Sequence, residues 1–116
     1  MAITSELIGK LGGADVEVIP VEGEVSGSVG STKVLATIDV PAGETWLVAA
    51  IGQTSAAGGG NSSRPQLRLG DKVSIRPPAG MYSFATTVSE TVSFTIERNY
   101  GLGTDSHTGH VYAVKL

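Results

Sequence analysis

The sequence predicts an all-β domain, a two-sheet β-sandwich or jelly roll of about eight short antiparallel strands. Two observations carry this. Polar and apolar residues alternate with period two from Val16 to the C-terminus. Gly- and Pro-containing turns also interrupt that alternation every few residues, and packing two such sheets face to face buries the apolar sets. A small barrel is the second architecture compatible with the pattern. The chain has 116 residues, near the commonest domain size, so one core is expected. The expected organisation is an N-terminal arm over residues 1–15 and a sandwich domain over 16–116.

The opening Ile3-Thr4-Ser5-Glu6-Leu7-Ile8-Gly9-Lys10-Leu11-Gly12-Gly13 is the one stretch of helical character, with Ser5 as a cap and Gly12 as a stop. Two turns are marginal alone, so Leu7, Ile8 and Leu11 need a surface to rest on. They are the candidate partner-binding residues, and packing on the chain's own sandwich is the alternative.

Val16-Glu17-Val18-Ile19-Pro20-Val21-Glu22 reads as the first strand, with Pro20 marking a sheet edge or bend. A Gly/Ser-rich turn is expected from Gly23 to Ser31. Lys33 to Val40 then places Val34, Ala36, Ile38 and Val40 on one face, and Pro41-Ala42-Gly43-Glu44 supplies a turn. Thr45 to Gln53 is apolar on both faces, which fits a central strand whose outer face meets cover or a partner. Thr54 to Pro65 reads as a long flexible loop or a contact arm ordered by a neighbour. Gln66–Leu69 and Lys72–Arg76 predict a two-residue hairpin around Gly70-Asp71, and Met81–Val88 and Thr91–Arg98 predict another around Ser89-Glu90. Asn99 to Gly109 reads as a polar loop, and His110 to Leu116 as the last strand.

Composition narrows the function. Charged residues are 16% of the chain, against roughly 25% in ordinary soluble domains. Such a surface repels itself weakly and suits packing against copies or partners. The net charge of −3 and dispersed basic residues argue against nucleic acid, which needs clustered Lys and Arg. There is no cysteine, hence no disulfide or thiolate chemistry. No apolar run approaches the ~20 residues of a membrane helix, and the N-terminus lacks the pattern of a secretory signal, so the protein is expected to be made and kept in the cytosol unless it leaves inside a larger particle.

Chemical motifs are sparse. Asp105, His107 and His110 lie within six residues but lack a strong ligand spacing, so no metal or other cofactor is expected. Gly27-Ser28-Val29-Gly30 lacks the helix of a nucleophile elbow, and Gly58-Gly59-Gly60-Asn61-Ser62-Ser63 lacks the lysine of a phosphate loop. The carboxylates are dispersed, and no catalytic residue is assigned.

The segments Ser5–Gly13, Pro41–Val48 and Val111–Leu116 together resemble small virion proteins of tailed bacteriophages, of the capsid decoration or tail type. The resemblance implies a non-enzymatic structural role in the virion, as a homo-oligomer bound to a major capsid protein or a tail protein. A trimer is the form expected. Capsid decoration comes first, and a tail or fibre component second. A carbohydrate-binding receptor module is a further class, which would stack sugars on exposed Trp46, Tyr82 or Tyr100. Aromatic residues at 5% of the chain weigh against it.

Overall fold

The computed structural model describes residues 16–56, 64–77, 80–99, 101 and 103–116. These residues form eight strands: β1 (Val16–Ser26), β2 (Thr32–Ile38), β3 (Trp46–Ser55), β4 (Gln66–Leu69), β5 (Val73–Ile75), β6 (Met81–Val88), β7 (Val92–Glu97) and β8 (Thr104–Lys115). Every strand pairing is antiparallel. Sheet A runs β1-β8-β3-β6 and sheet B runs β2-β7-β4-β5. Successive strands thus tend to alternate between sheets, the wiring of a jelly roll. The arm over residues 1–15, with Leu7, Ile8 and Leu11, lies outside the described residues.

The core forms where inward positions of the two sheets meet. Sheet B contributes Ile38, Leu67, Leu69, Val92, Phe94 and Ile96, and sheet A contributes Val21, Val25, Val48, Ala50, Val88, Val111 and Ala113. Each such valine- or leucine-sized side chain contributes about 1.5–3 kcal/mol when fully buried. Tyr82 stacks on Phe84, and both meet Phe94 edge-on, at ring separations of 6.0–6.3 Å within the aromatic-pair range. Trp46 rests against this core and donates its indole N–H to Glu44 at 2.9 Å. Glu44 also faces Lys115 at 3.5 Å, which ties the last strand to the turn before β3.

That turn has the predicted chemistry. The Glu44 N–H closes on the Pro41 carbonyl at 3.1 Å, and Gly43 adopts φ 83°, a left-handed value that favours glycine. β3 is central as expected, between β8 and β6, and Pro20 does lie on an edge strand.

Elsewhere the structure corrects the sequence reading. β1 runs to Ser26, through the first part of the expected turn, because Gly23, Glu24 and Val25 continue the ladder with β8. β2 is broken by a bulge between Val34 and Ala36, which leaves Val34 53% exposed and packs Leu35 against the core instead. The β4–β5 turn has three residues, Gly70, Asp71 and Lys72, since Leu69 pairs with Val73. β6 and β7 do not pair with each other. β6 pairs with β3 and β7 with β2 and β4, so Ser89-Glu90 is a crossing between sheets. Alternation is the same in a hairpin and in two strands of facing sheets, so the sequence pattern does not separate them.

Candidate interaction surface

The register of sheet A tiles its outer face in rungs across β1, β8, β3 and β6. The first is Val16, Val114, Leu47 and Thr87; the second is Val18, Tyr112, Ala49 and Ala85. The third is Pro20, His110, Ile51 and Ser83, and the fourth is Glu22, Thr108, Gln53 and Met81. Across these rungs Glu22 is the only carboxylate, and there is no Lys or Arg. Val18, Ile51 and Met81 are exposed. Leu47 and Val114 are buried with Val16 in a small cluster separate from the main core. Exposed apolar patches rimmed by polar groups mark interaction sites.

Beyond the fourth rung the face turns polar. Glu22, Gly23, Glu24, Ser106, His107 and Thr108 line a shallow depression of about 500 Å³ along the β1–β8 seam. Ser26 and Thr104 join hydroxyls at 2.9 Å at its far end.

β8 separates the residues that the sequence grouped as a weak metal candidate. Asp105 and His107 lie on a strand, not in the expected loop, and point into the sandwich, where both are buried. His110 lies on the opposite, outward face. Among the described residues, no cluster of three or more His, Asp or Glu side chains forms. This inward polar layer leaves no direct mark on the sequence, because Thr104–Gly109 places polar residues on both faces of β8. Three histidine- or carboxylate-bearing positions in a Gly-rich stretch read as a solvated loop.

Within that layer each group has a committed partner. Arg98, just past β7, donates through a terminal guanidinium nitrogen to Oδ1 of Asp105, and neither side chain is exposed. His107 Nδ1 contacts the Val21 carbonyl at 3.0 Å, and Nε2 contacts the Tyr82 hydroxyl. A carbonyl can only accept, so Nδ1 carries the hydrogen, and the phenol donates to Nε2. Burial pushes the His107 pKa down, against the opposing effect of the Val21 hydrogen bond, and burial pushes the Tyr82 pKa up. Both shifts favour the neutral forms that this bond requires. Tyr82 is therefore an interior residue and not a sugar-stacking platform. Tyr100 lies outside the described residues.

No protein-family model and no curated protein matches the chain significantly. Among solved structures it is similar to VP2 of infectious bursal disease virus in a subviral particle, at 9% identity and TM-score 0.54, over 89% of this chain and 33% of that one. It also aligns with a capsid structure of Helicobacter pylori bacteriophage KHP30, at 8% identity and TM-score 0.48, over 87% and 98% of the two chains. A third match is the C-terminal CBM6 of LamC from Zobellia galactanivorans, at 12% identity and TM-score 0.43, over 84% and 99%. The chain spans about a third of the VP2 chain. At these identities the likeness to VP2 is one of fold, a β-sandwich of jelly-roll type.

Proposed function

We propose that the chain is a non-enzymatic virion structural protein, a capsid decoration protein that binds the outer shell as an oligomer. A tail or fibre component is the second reading. The observation that carries the proposal is the outer face of sheet A, where Val18, Ile51, Met81 and Tyr112 are exposed and Glu22 is the one carboxylate across four rungs. Burying such a face against a major capsid protein costs little charge desolvation and gains apolar area. The candidate arm residues Leu7, Ile8 and Leu11 precede Val16, which begins the first rung of that face. Low overall charge and the sequence resemblance to small phage virion proteins support the same reading, and the jelly-roll fold suits it. The non-enzymatic part is supported by the interior polar layer. Asp105 and His107 are buried and engaged with Arg98, Tyr82 and the Val21 carbonyl.

The test locates the protein on purified particles with labelled antibody. Shell labelling is expected, tail labelling would move the assignment to the second reading, and absence from both would overturn it. The arm is tested by deleting Met1 to Leu11 and measuring retention on particles stripped of the native copy. Each leucine-sized contact is worth about 1.5–3 kcal/mol, so retention should fall sharply while the melting temperature holds. Equal retention of the two forms would remove the arm from the interface.

A further inference from the structure

Sheet edges present unpaired backbone N–H and C=O groups, and soluble proteins blunt them with charge, proline, bulges or brevity. Three of the four edges here carry such a device. β1 has Pro20 together with Glu17, Glu22 and Glu24. β2 has its bulge and Lys33. β5 is three residues long, between Lys72 and Arg76. β6 has none of them: Met81–Val88 is eight residues without charge or proline, in unbroken register with β3. Among the described residues, no backbone hydrogen bond outside the sheet ladders reaches it.

We propose that β6 is a self-association edge, pairing antiparallel with β6 of a second copy and joining two four-stranded sheets about a two-fold axis. Three features select a second copy as the occupant. An antiparallel strand paired with itself is isologous, so the contact closes at two subunits. The chain carries a net charge of −3, and like charges facing each other across a ladder destabilise it, yet β6 sets no charge opposite itself. The β1 edge would instead bring carboxylates together. A register centred on Phe84 or Ala85 also keeps inward residues opposite inward residues, so the two apolar interiors remain continuous. Beside the edge, Ile51, Gly52, Met81, Tyr82 and Ser83 line a depression of about 350 Å³ that offers room for a side chain of the second copy. The pairing is independent of the virion reading and leaves the apolar tile of sheet A on one continuous surface.

The test is sedimentation of the full chain from low micromolar to millimolar concentration, with amide hydrogen exchange at both ends of that range. A reversible monomer–dimer equilibrium is expected, with slower exchange of the Met81–Val88 amides at high concentration. Ser83→Lys with Ala85→Lys should weaken dimerisation by at least about tenfold, because either register sets a lysine directly opposite a lysine of the second copy. Val34→Lys on the β2 edge should leave it unchanged. A monomer at every concentration would overturn the proposal, as would a dimer whose β6 amides gain no protection. Should the lysine variant not fold, the wild-type exchange pattern decides.

Discussion

Tyr82 and His107 meet inside the sandwich across β3, which separates their strands in sheet A. The residue of β3 opposite Tyr82 is Gly52, and its lack of a side chain opens the route. Through the Val21 carbonyl the same imidazole reaches β1. One buried ring therefore links β6, β8 and β1 without a hydrogen bond to the strand between. Tyr82→Phe keeps the packing but leaves Nε2 without its donor, which costs about 1–3 kcal/mol. Urea denaturation should show the midpoint falling with an unchanged slope. A midpoint equal to that of the wild type would mean that the hydrogen bond adds no stability.

Acid should weaken the fold through the same ring. Burial holds the folded-state pKa of His107 below its ordinary 6.5. The unfolded chain therefore binds a proton first as pH falls, and stability present above about pH 6.5 is lost below it. Melting temperature should decline from pH 6.5 toward 5, above the range where most carboxylates titrate. His107→Gln should flatten that part of the profile. A wild-type curve flat over this interval would contradict the buried neutral ring.

How much of this was legible in the sequence depends on the scale of the feature. Alternation in Thr91–Arg98 correctly put Val92, Phe94 and Ile96 on one buried face, and the Pro41–Glu44 turn followed from its residues. Strand partners were less visible, because Val88 and Val92 are buried whether the chain turns back or crosses to the other sheet. The bulge at Val34–Ala36 shifted a register that pattern alone had read as continuous. Polar residues at inward positions of β8 were hidden for a physical reason. Their partners, Arg98, Tyr82 and Val21, come from elsewhere in the chain, and only the fold brings them together. A clue existed in Gly52 and Gly109, glycines set among strand-forming residues, which often mark close backbone approach.

Chelation should leave the fold intact. Asp105 and His107 face inward while His110 faces out from the same strand, so these side chains cannot converge on one ion. Thermal melts with and without a chelator should superimpose. A drop restored by one divalent ion would show a site built from other residues.

The Arg98–Asp105 pair should behave as a buried ion pair. Both side chains are fully buried, so Asp105→Ala removes the carboxylate facing a desolvated guanidinium and costs about 3–5 kcal/mol. Replacing both, as Arg98→Met with Asp105→Leu, should recover much of that loss, because neither charge then needs desolvation. Chemical denaturation of the single and double variants measures the difference. A double variant as unstable as the single one would show that removing the buried charges does not restore the lost stability.

The two glycines flanking the His107 ring make the sharpest steric prediction. Gly52 of β3 lies opposite Gly109 of β8, and both lie on the inward face. A Cβ on Gly109 would sit 2.4 Å from the Ile51 carbonyl oxygen, and one on Gly52 would sit 2.7 Å from the Thr108 oxygen and 3.1 Å from His107 Nε2. These are backbone obstacles that cannot rotate away, so either alanine must push β3 and β8 apart or displace the imidazole. Gly23 is the control: its Cβ would meet Leu35 Cδ2 at 2.7 Å, the free end of a flexible side chain. Overpacking of a fixed contact costs about 1–3 kcal/mol or more, so Gly109→Ala should be clearly destabilising. Gly23→Ala should lose less, since Leu35 can change rotamer. Denaturation midpoints of the three alanine variants give the order directly, and Gly109→Ala proving as mild as Gly23→Ala would refute the close approach of β3 and β8 at this rung.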